Sequence, residues 1–188
     1  GDGEQALVHC QGRAAWSRQP APAALDLEQL AARMRESDVE ASRVYATFVR
    51  MGIVHGPAFQ AVTVLHQGTN EVLARLRLPS TAEGTAGDYV LHPSIMDAAL
   101  QGYLVLIDGW AEATQPRLPV AMESLRILGA CSREMVTWVR YAAGSGPADP
   151  VARLDIDLCD TAGNIAVQIR GFTTRVVKET RAAVGTLA

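Results

Sequence analysis

The sequence predicts an α+β fold in which one buried helix is wrapped by an antiparallel β-sheet, and three observations carry that prediction. The run from His92 to Ile107 is apolar on nearly every face, the pattern of a helix enclosed by protein. A strand hairpin precedes it, and four further strand patterns follow it. Among those, Arg153 to Leu158 alternates strictly between charged and apolar residues, so one face of that strand is expected to be wet.

With 188 residues, 48% of them hydrophobic and 20% charged, the chain has the composition of one soluble globular domain. The longest apolar stretch, Ala98 to Ile107, is broken by Gln101 and stops at Asp108, too short to span a bilayer. The opening Gly1-Asp2-Gly3-Glu4 lacks the basic and then apolar character of a secretion signal, so the expected location is cytoplasmic. Acids and bases are interspersed around a net charge of −3, which argues against nucleic acid and membrane as partners. Cys10, Cys131 and Cys159 are far apart and are expected to be buried or half-buried apolar residues rather than disulfide or zinc ligands. His9, His55, His66 and His92 show no metal-ligand spacing, so no metal is expected. The chemistry expected is organic acid and base.

Ala6 to Ala14 reads as a strand that starts in mid-fold. Pro20-Ala21-Pro22-Ala23-Ala24 has the composition of a surface linker. Two helices are expected, from Asp26 to Glu36 and from Val39 to Met51, with Gly52 ending the second. After the turn His55-Gly56-Pro57, strands are expected from Phe59 to Gln67 and from Glu71 to Leu78, joined at Gly68-Thr69-Asn70. The loop Pro79 to Asp88 leads into the buried helix. Later strands are expected at Leu118 to Leu128, Glu134 to Ala142, Val151 to Cys159 and Ile165 to Val177, with Asp160 to Asn164 forming a hairpin turn. Lys178 to Ala188 is unpatterned and reads as a linker or frayed end.

Inside the apolar helix stands one acid, Asp97. Enclosing an ionised carboxylate without partners is unfavourable, so such a group raises its pKa and holds a proton, as a general acid at neutral pH must. Gln101 lies one helical turn along the same face, where it can hydrogen-bond and orient the carboxyl. On spacing alone the other reading stays open: an acid near the helix N-terminus, stabilised by the dipole, with one edge in water.

Three motifs occur together and in order. Gly56-Pro57-Ala58-Phe59-Gln60 resembles the Tyr-Gly-Pro-x-Phe-Gln motif of polyketide synthase dehydratase domains. His92-Pro93-Ser94-Ile95-Met96-Asp97-Ala98-Ala99-Leu100-Gln101 resembles their His-Pro-x-x-x-Asp-Ala-Ala-x-His/Gln motif, and Leu118-Pro119-Val120 resembles their Leu-Pro-Val. Gly171 to Arg175 looks like the family's closing strand. Val8 to Ala14 and Arg117-Leu118-Pro119 look most like dehydratases of trans-acyltransferase assembly lines.

The resemblance implies a double hotdog, two copies of a long helix wrapped in an antiparallel sheet. Residues 1–16 would be the last strand of the first hotdog, 17–25 a linker, 26–177 the second hotdog and 178–188 a tail. It implies removal of water from a β-hydroxyacyl thioester carried on the phosphopantetheine arm of an acyl carrier protein, with no cofactor bound directly. Asp97 would be the acid and Gln101 its orienting partner. His55, Gly56, Pro57, Phe59, Leu118, Pro119 and Val120 would line the substrate tunnel, with His55 standing where the family usually has Tyr. The family's base belongs to a His-x-x-x-Gly-x-x-x-x-Pro motif in the first hotdog, and none of the four histidines here has Gly four residues on. The implied partners are the carrier protein, the N-terminal hotdog that supplies the His, neighbouring synthase domains and a second copy in a homodimer. Two other readings stand beside this one: a noncatalytic or chain-branching dehydratase-like domain acting beside a ketosynthase, and a hotdog that pairs with a partner for folding alone. Without the family, Gly56-Pro57 would be an ordinary tight turn and Leu118-Pro119-Val120 an edge strand with a proline. His92 reads as structural, and Trp110, Trp138 and Tyr103 as packing.

Overall fold

The computed structural model describes residues 8–176. Helix α1 (Leu27–Arg33) is followed by strand β1 (Ser37–Glu40), helix α2 (Ala41–Arg50), strands β2 (Val62–Gly68) and β3 (Glu71–Arg77), helix α3 (Pro93–Gln101), and strands β4 (Arg117–Ala121), β5 (Ser124–Ile127), β6 (Glu134–Tyr141), β7 (Val151–Cys159) and β8 (Ile165–Val176). The strands form one antiparallel sheet in the order β1-β2-β3-β6-β7-β8-β4, with β5 pairing the first part of β8 and β4 its end. Helix α3 packs on the inner face, where Ile95, Ala98, Ala99 and Leu104 meet Val72, Leu76, Val139 and Leu158. This is the helix-in-sheet arrangement expected.

Local chemistry explains the helix ends. His92 caps α3 by accepting from the Ser94 N–H, and Pro93 takes the first helical position, where its missing N–H is no loss. Gly102 follows α3, and a Cβ there would already touch Val72 and Val139, so a small residue lets the helix end lie close to the sheet. Gly52, at φ 80°, closes α2 in a Schellman arrangement, with Ile53 N–H on the Phe48 carbonyl and Gly52 N–H on that of Val49. Asp26 caps α1 through the Gln29 N–H. On the outer face, Leu30 of α1 and Met34 just after it cover Leu73, Val136 and Cys159.

Several expectations change. Val8 to Ala14 forms no strand and lies exposed; its first two expected residues are outside the described ones, and no strand among the described residues pairs with it. Strand formation needs such a partner. Val39 belongs to β1, where it pairs with Leu65, and α2 begins only at Ala41. Phe59 lies in a 3₁₀ turn, Pro57–Phe59, because Pro57 sets a helical φ, and β2 starts at Val62. The apolar run is not one long helix: α3 stops at Gln101 and a 3₁₀ segment, Gly102–Leu106, continues it. Leu118 to Leu128 is split into β4 and β5. Pro79 to Asp88 contains a 3₁₀ segment, Ser80–Thr85. Cys10 is exposed rather than half-buried.

The wet face expected of β7 is dry at Asp157, only 1% exposed. Its carboxylate accepts from Arg170 Nη2 at 2.7 Å and Gln168 Nε2 at 2.9 Å, and pairs with Arg140 Nη2 at 2.7 Å. Arg140 in turn stacks 3.7 Å from the Trp138 ring centroid. Strands β3, β6, β7 and β8 fall close to the expected ranges, as do the β2–β3 turn, with Asn70 at φ 60°, and the Asp160 to Asn164 turn, where the Asp160 carboxylate accepts from Ala162 and Asn164 N–H.

Candidate active site

Asp97 and Gln101 lie one turn apart on α3, and the pairing foreseen from their spacing is present: Gln101 Nε2 donates to Asp97 Oδ2 at 2.7 Å. The same amide also donates to the Phe59 carbonyl at 3.1 Å, which ties it to the Pro57–Phe59 turn. Gln101 is buried, so its rotamer is held from both sides. Its Oε1 is buried without a partner. Orphaned amide oxygens of this kind are uncommon in folded proteins.

Asp97 itself is not enclosed. Its side chain is 42% exposed, so the expectation of a carboxyl sealed in apolar surroundings fails for the described residues. The apolar residues around it on the helix face inward, whereas Asp97 faces the open side.

His55 reaches the same carboxyl from the loop after α2. Its Nε2 lies 3.7 Å from Asp97 Oδ2, and its Nδ1 is buried with no partner. The ring stands edge-on to Phe48, with centroids 4.7 Å apart, and to Tyr45 at 5.8 Å. Burial pushes the His55 pKa below that of a free imidazole, against a smaller raising effect of Asp97. Burial also pushes Tyr45 up to about 12, partly offset by the Val62 N–H that its hydroxyl accepts at 3.0 Å, with Asp97 adding to the rise. Gln60 Nε2 donates to the His55 carbonyl at 2.9 Å and fixes the loop, while Gly56 precedes the turn.

The structure therefore gathers His55, the Phe59 carbonyl, Gln101 and Asp97 into one cluster, with Gly56 and Pro57 shaping the turn beside it. Leu118, Pro119 and Val120 sit apart on edge strand β4, exposed, and no hydrogen bond joins them to the cluster. Beside them Tyr103 is buried, and its hydroxyl donates to the Arg117 carbonyl at the start of β4 at 2.7 Å. Burial drives Tyr103 to about 12, with Arg117 lowering and Asp97 raising it. Sequence reasoning missed Tyr45 and Phe48 as the wall behind His55; the available signal was a pair of aromatics three residues apart on the apolar side of α2, just before the His55-Gly56-Pro57 turn. Among the described residues, no three His, Cys, Asp or Glu side chains group as metal ligands, and no helix is long and apolar enough to cross a membrane.

An oriented carboxyl at an open face, with an imidazole beside it, is suited to proton transfer to or from a bound molecule. Comparison with known proteins gives this geometry a context. The polyketide synthase dehydratase N-terminal domain family matches residues 22–183. Polyketide synthase PksN of Bacillus subtilis (strain 168) is 36% identical over 176 residues, covering 94% of this chain and 3% of PksN. A trans-AT PKS dehydratase domain from Brevibacillus brevis superposes with a TM-score of 0.75 at 45% identity, over 86% of this chain and 56% of that one. An inactive Asp-to-Asn mutant of the CurK dehydratase superposes with a TM-score of 0.75 at 25% identity, over 85% of this chain and 55% of that one. The helix-in-sheet fold is the hotdog of these dehydratase domains. With the family match spanning most of its length, the chain belongs to the polyketide synthase dehydratase family.

Proposed function

We propose that this chain is the acid-bearing second hotdog of a dehydratase domain that removes water, in a syn sense, from a β-hydroxyacyl thioester to give the α,β-unsaturated thioester. The carrying observation is the carboxyl of Asp97, oriented by Gln101 at 2.7 Å and open on one side. Asp97 protonates the leaving hydroxyl. Gln101, fixed by the Phe59 carbonyl, holds the carboxyl in place and limits its rotation. A base on the facing N-terminal hotdog takes the α-proton, and helix N-terminal N–H groups there polarise the thioester carbonyl. His55, Gly56, Pro57 and Phe59 line the tunnel on this wall, and Leu118, Pro119 and Val120 line it from β4. That a single Asp-to-Asn change leaves the CurK dehydratase inactive supports an acid of this type.

The substrate arrives on the phosphopantetheine arm of an acyl carrier protein, and no cofactor takes part. The partners we infer are the carrier, the N-terminal hotdog, neighbouring synthase domains and a second copy of the domain, acting in the cytoplasm. The chain spans 56% of the Brevibacillus dehydratase structure and 3% of PksN. The test is to present the complete dehydratase with a β-hydroxyacyl carrier thioester and follow the enoyl product. Its formation is expected. Intact binding without any enoyl product would point instead to a noncatalytic hotdog.

A further inference from the structure

We propose that His55 makes a second contact to the leaving hydroxyl, its Nε2–H donating to the hydroxyl oxygen while Asp97 delivers the proton; this deepens the dehydration reading above and rests on it. The geometry of the pair carries the inference. Nε2 and Asp97 Oδ2 are 3.7 Å apart, too far for a direct hydrogen bond. Two atoms at that separation can nevertheless both lie about 2.8 Å from a third, the normal reach of hydrogen bonds to oxygen. Both sides of the gap are anchored. Gln101 and the Phe59 carbonyl hold Asp97, while Phe48, Tyr45 and the Gln60 bond to the His55 carbonyl hold the imidazole. A hydroxyl oxygen fits between them.

The tautomer follows from the surroundings. Nδ1 is buried against the aromatic wall without a partner, whereas Nε2 faces the open side beside the Asp97 carboxyl, where a substrate hydroxyl can accept, so the proton of the neutral ring belongs on Nε2. The titratable groups facing the ring are Asp97 from α3 and Tyr45 from α2, and Tyr45, pushed up to about 12, stays neutral. Burial lowers the His55 pKa, which keeps the ring neutral at neutral pH, so His55 contributes an N–H and not a proton. In the step itself the Cβ–O bond breaks with its electron pair going to oxygen. The Asp97 proton forms the new O–H bond, water departs and Asp97 is left as a carboxylate. The α-proton goes to the base of the other hotdog, and its electron pair becomes the Cα–Cβ π bond. His55 neither gains nor loses a proton; its N–H stabilises the charge growing on the oxygen. It also reads the substrate, because a thioester without a β-hydroxyl leaves that N–H unpaired.

The experiment measures binding in the complete dehydratase carrying Asp97→Asn, in which turnover is expected, on the dehydration reading, to be slow enough to follow binding alone. The probes are the pantetheine thioesters of 3-hydroxybutyrate and of butyrate, with His55 intact, His55→Phe or His55→Gln. His55→Phe is expected to weaken the hydroxy thioester about fivefold to tenfold, the size of one lost hydrogen bond, and to leave the butyryl thioester within about twofold. His55→Gln, which keeps an N–H in reach, is expected to recover most of the loss. Equal effects on both thioesters, or no effect on the hydroxy thioester in either variant, would overturn the contact. The dehydration reading is judged separately, by whether the wild-type domain makes enoyl product.

Discussion

Asp157 and His55 show how single side chains depend on their neighbours. Asp157 is buried between Arg140 and Arg170, so Asp157→Ala strands two half-buried guanidinium groups and should cost about 3 kcal/mol, the lower part of the range for breaking a buried pair. A urea titration checks this, and an unchanged midpoint would mean that the Arg side chains swing freely into water. His55 carries a pH signature. Its folded pKa lies below its unfolded value of 6.5, so between the two the unfolded chain binds more protons, and stability falls as pH drops through that window. Wild type should therefore lose more stability than His55→Gln between about pH 7 and pH 5. Parallel loss in both proteins would contradict the burial argument.

At the level of elements, α1 depends on the β7–β8 turn. Leu25 N–H donates to the Gly163 carbonyl at 2.9 Å, Gly163 has φ 88°, and a Cβ there would run into the Leu25 carbonyl. Gly163→Ala combines backbone strain with that clash and should destabilise by about 2 kcal/mol, with α1 amides losing hydrogen-exchange protection first. Unchanged protection would show that α1 does not rely on this junction. This turn was legible in the sequence, as were β7 and the Asp97–Gln101 pair, because each rests on local chemistry: Gly and Asp in a turn, alternation in a strand, i,i+4 spacing on a helix. Other features depend on tertiary partners. Val39 fits a helix or a strand period equally, and its pairing with Leu65 decides. Alternation marked the outer face of β7 but could not reveal that Arg140 and Arg170 close over Asp157. Nor could the 42 residues from His55 to Asp97 disclose that the two side chains meet.

On the scale of the molecule, this chain is, under the proposed function, one wall of the active site. Leu118 and Val120 on β4 and Leu125 and Ile127 on β5 are exposed apolar residues, and the Asp97 side chain is exposed on a different part of the molecule. If, as proposed, the groups that take the α-proton and polarise the carbonyl belong to another hotdog, the chain alone should bind a β-hydroxyacyl pantetheine thioester weakly and yield no enoyl product. The central claim is that Asp97 protonates the departing hydroxyl. The most direct measurement compares single-turnover rates of enoyl formation by the complete dehydratase with Asp97 and with Asp97→Asn, at saturating β-hydroxyacyl thioester. A fall of about a hundredfold or more, with the folded state and substrate binding intact, is predicted from the usual contribution of a general acid. A rate within about threefold of wild type would contradict it.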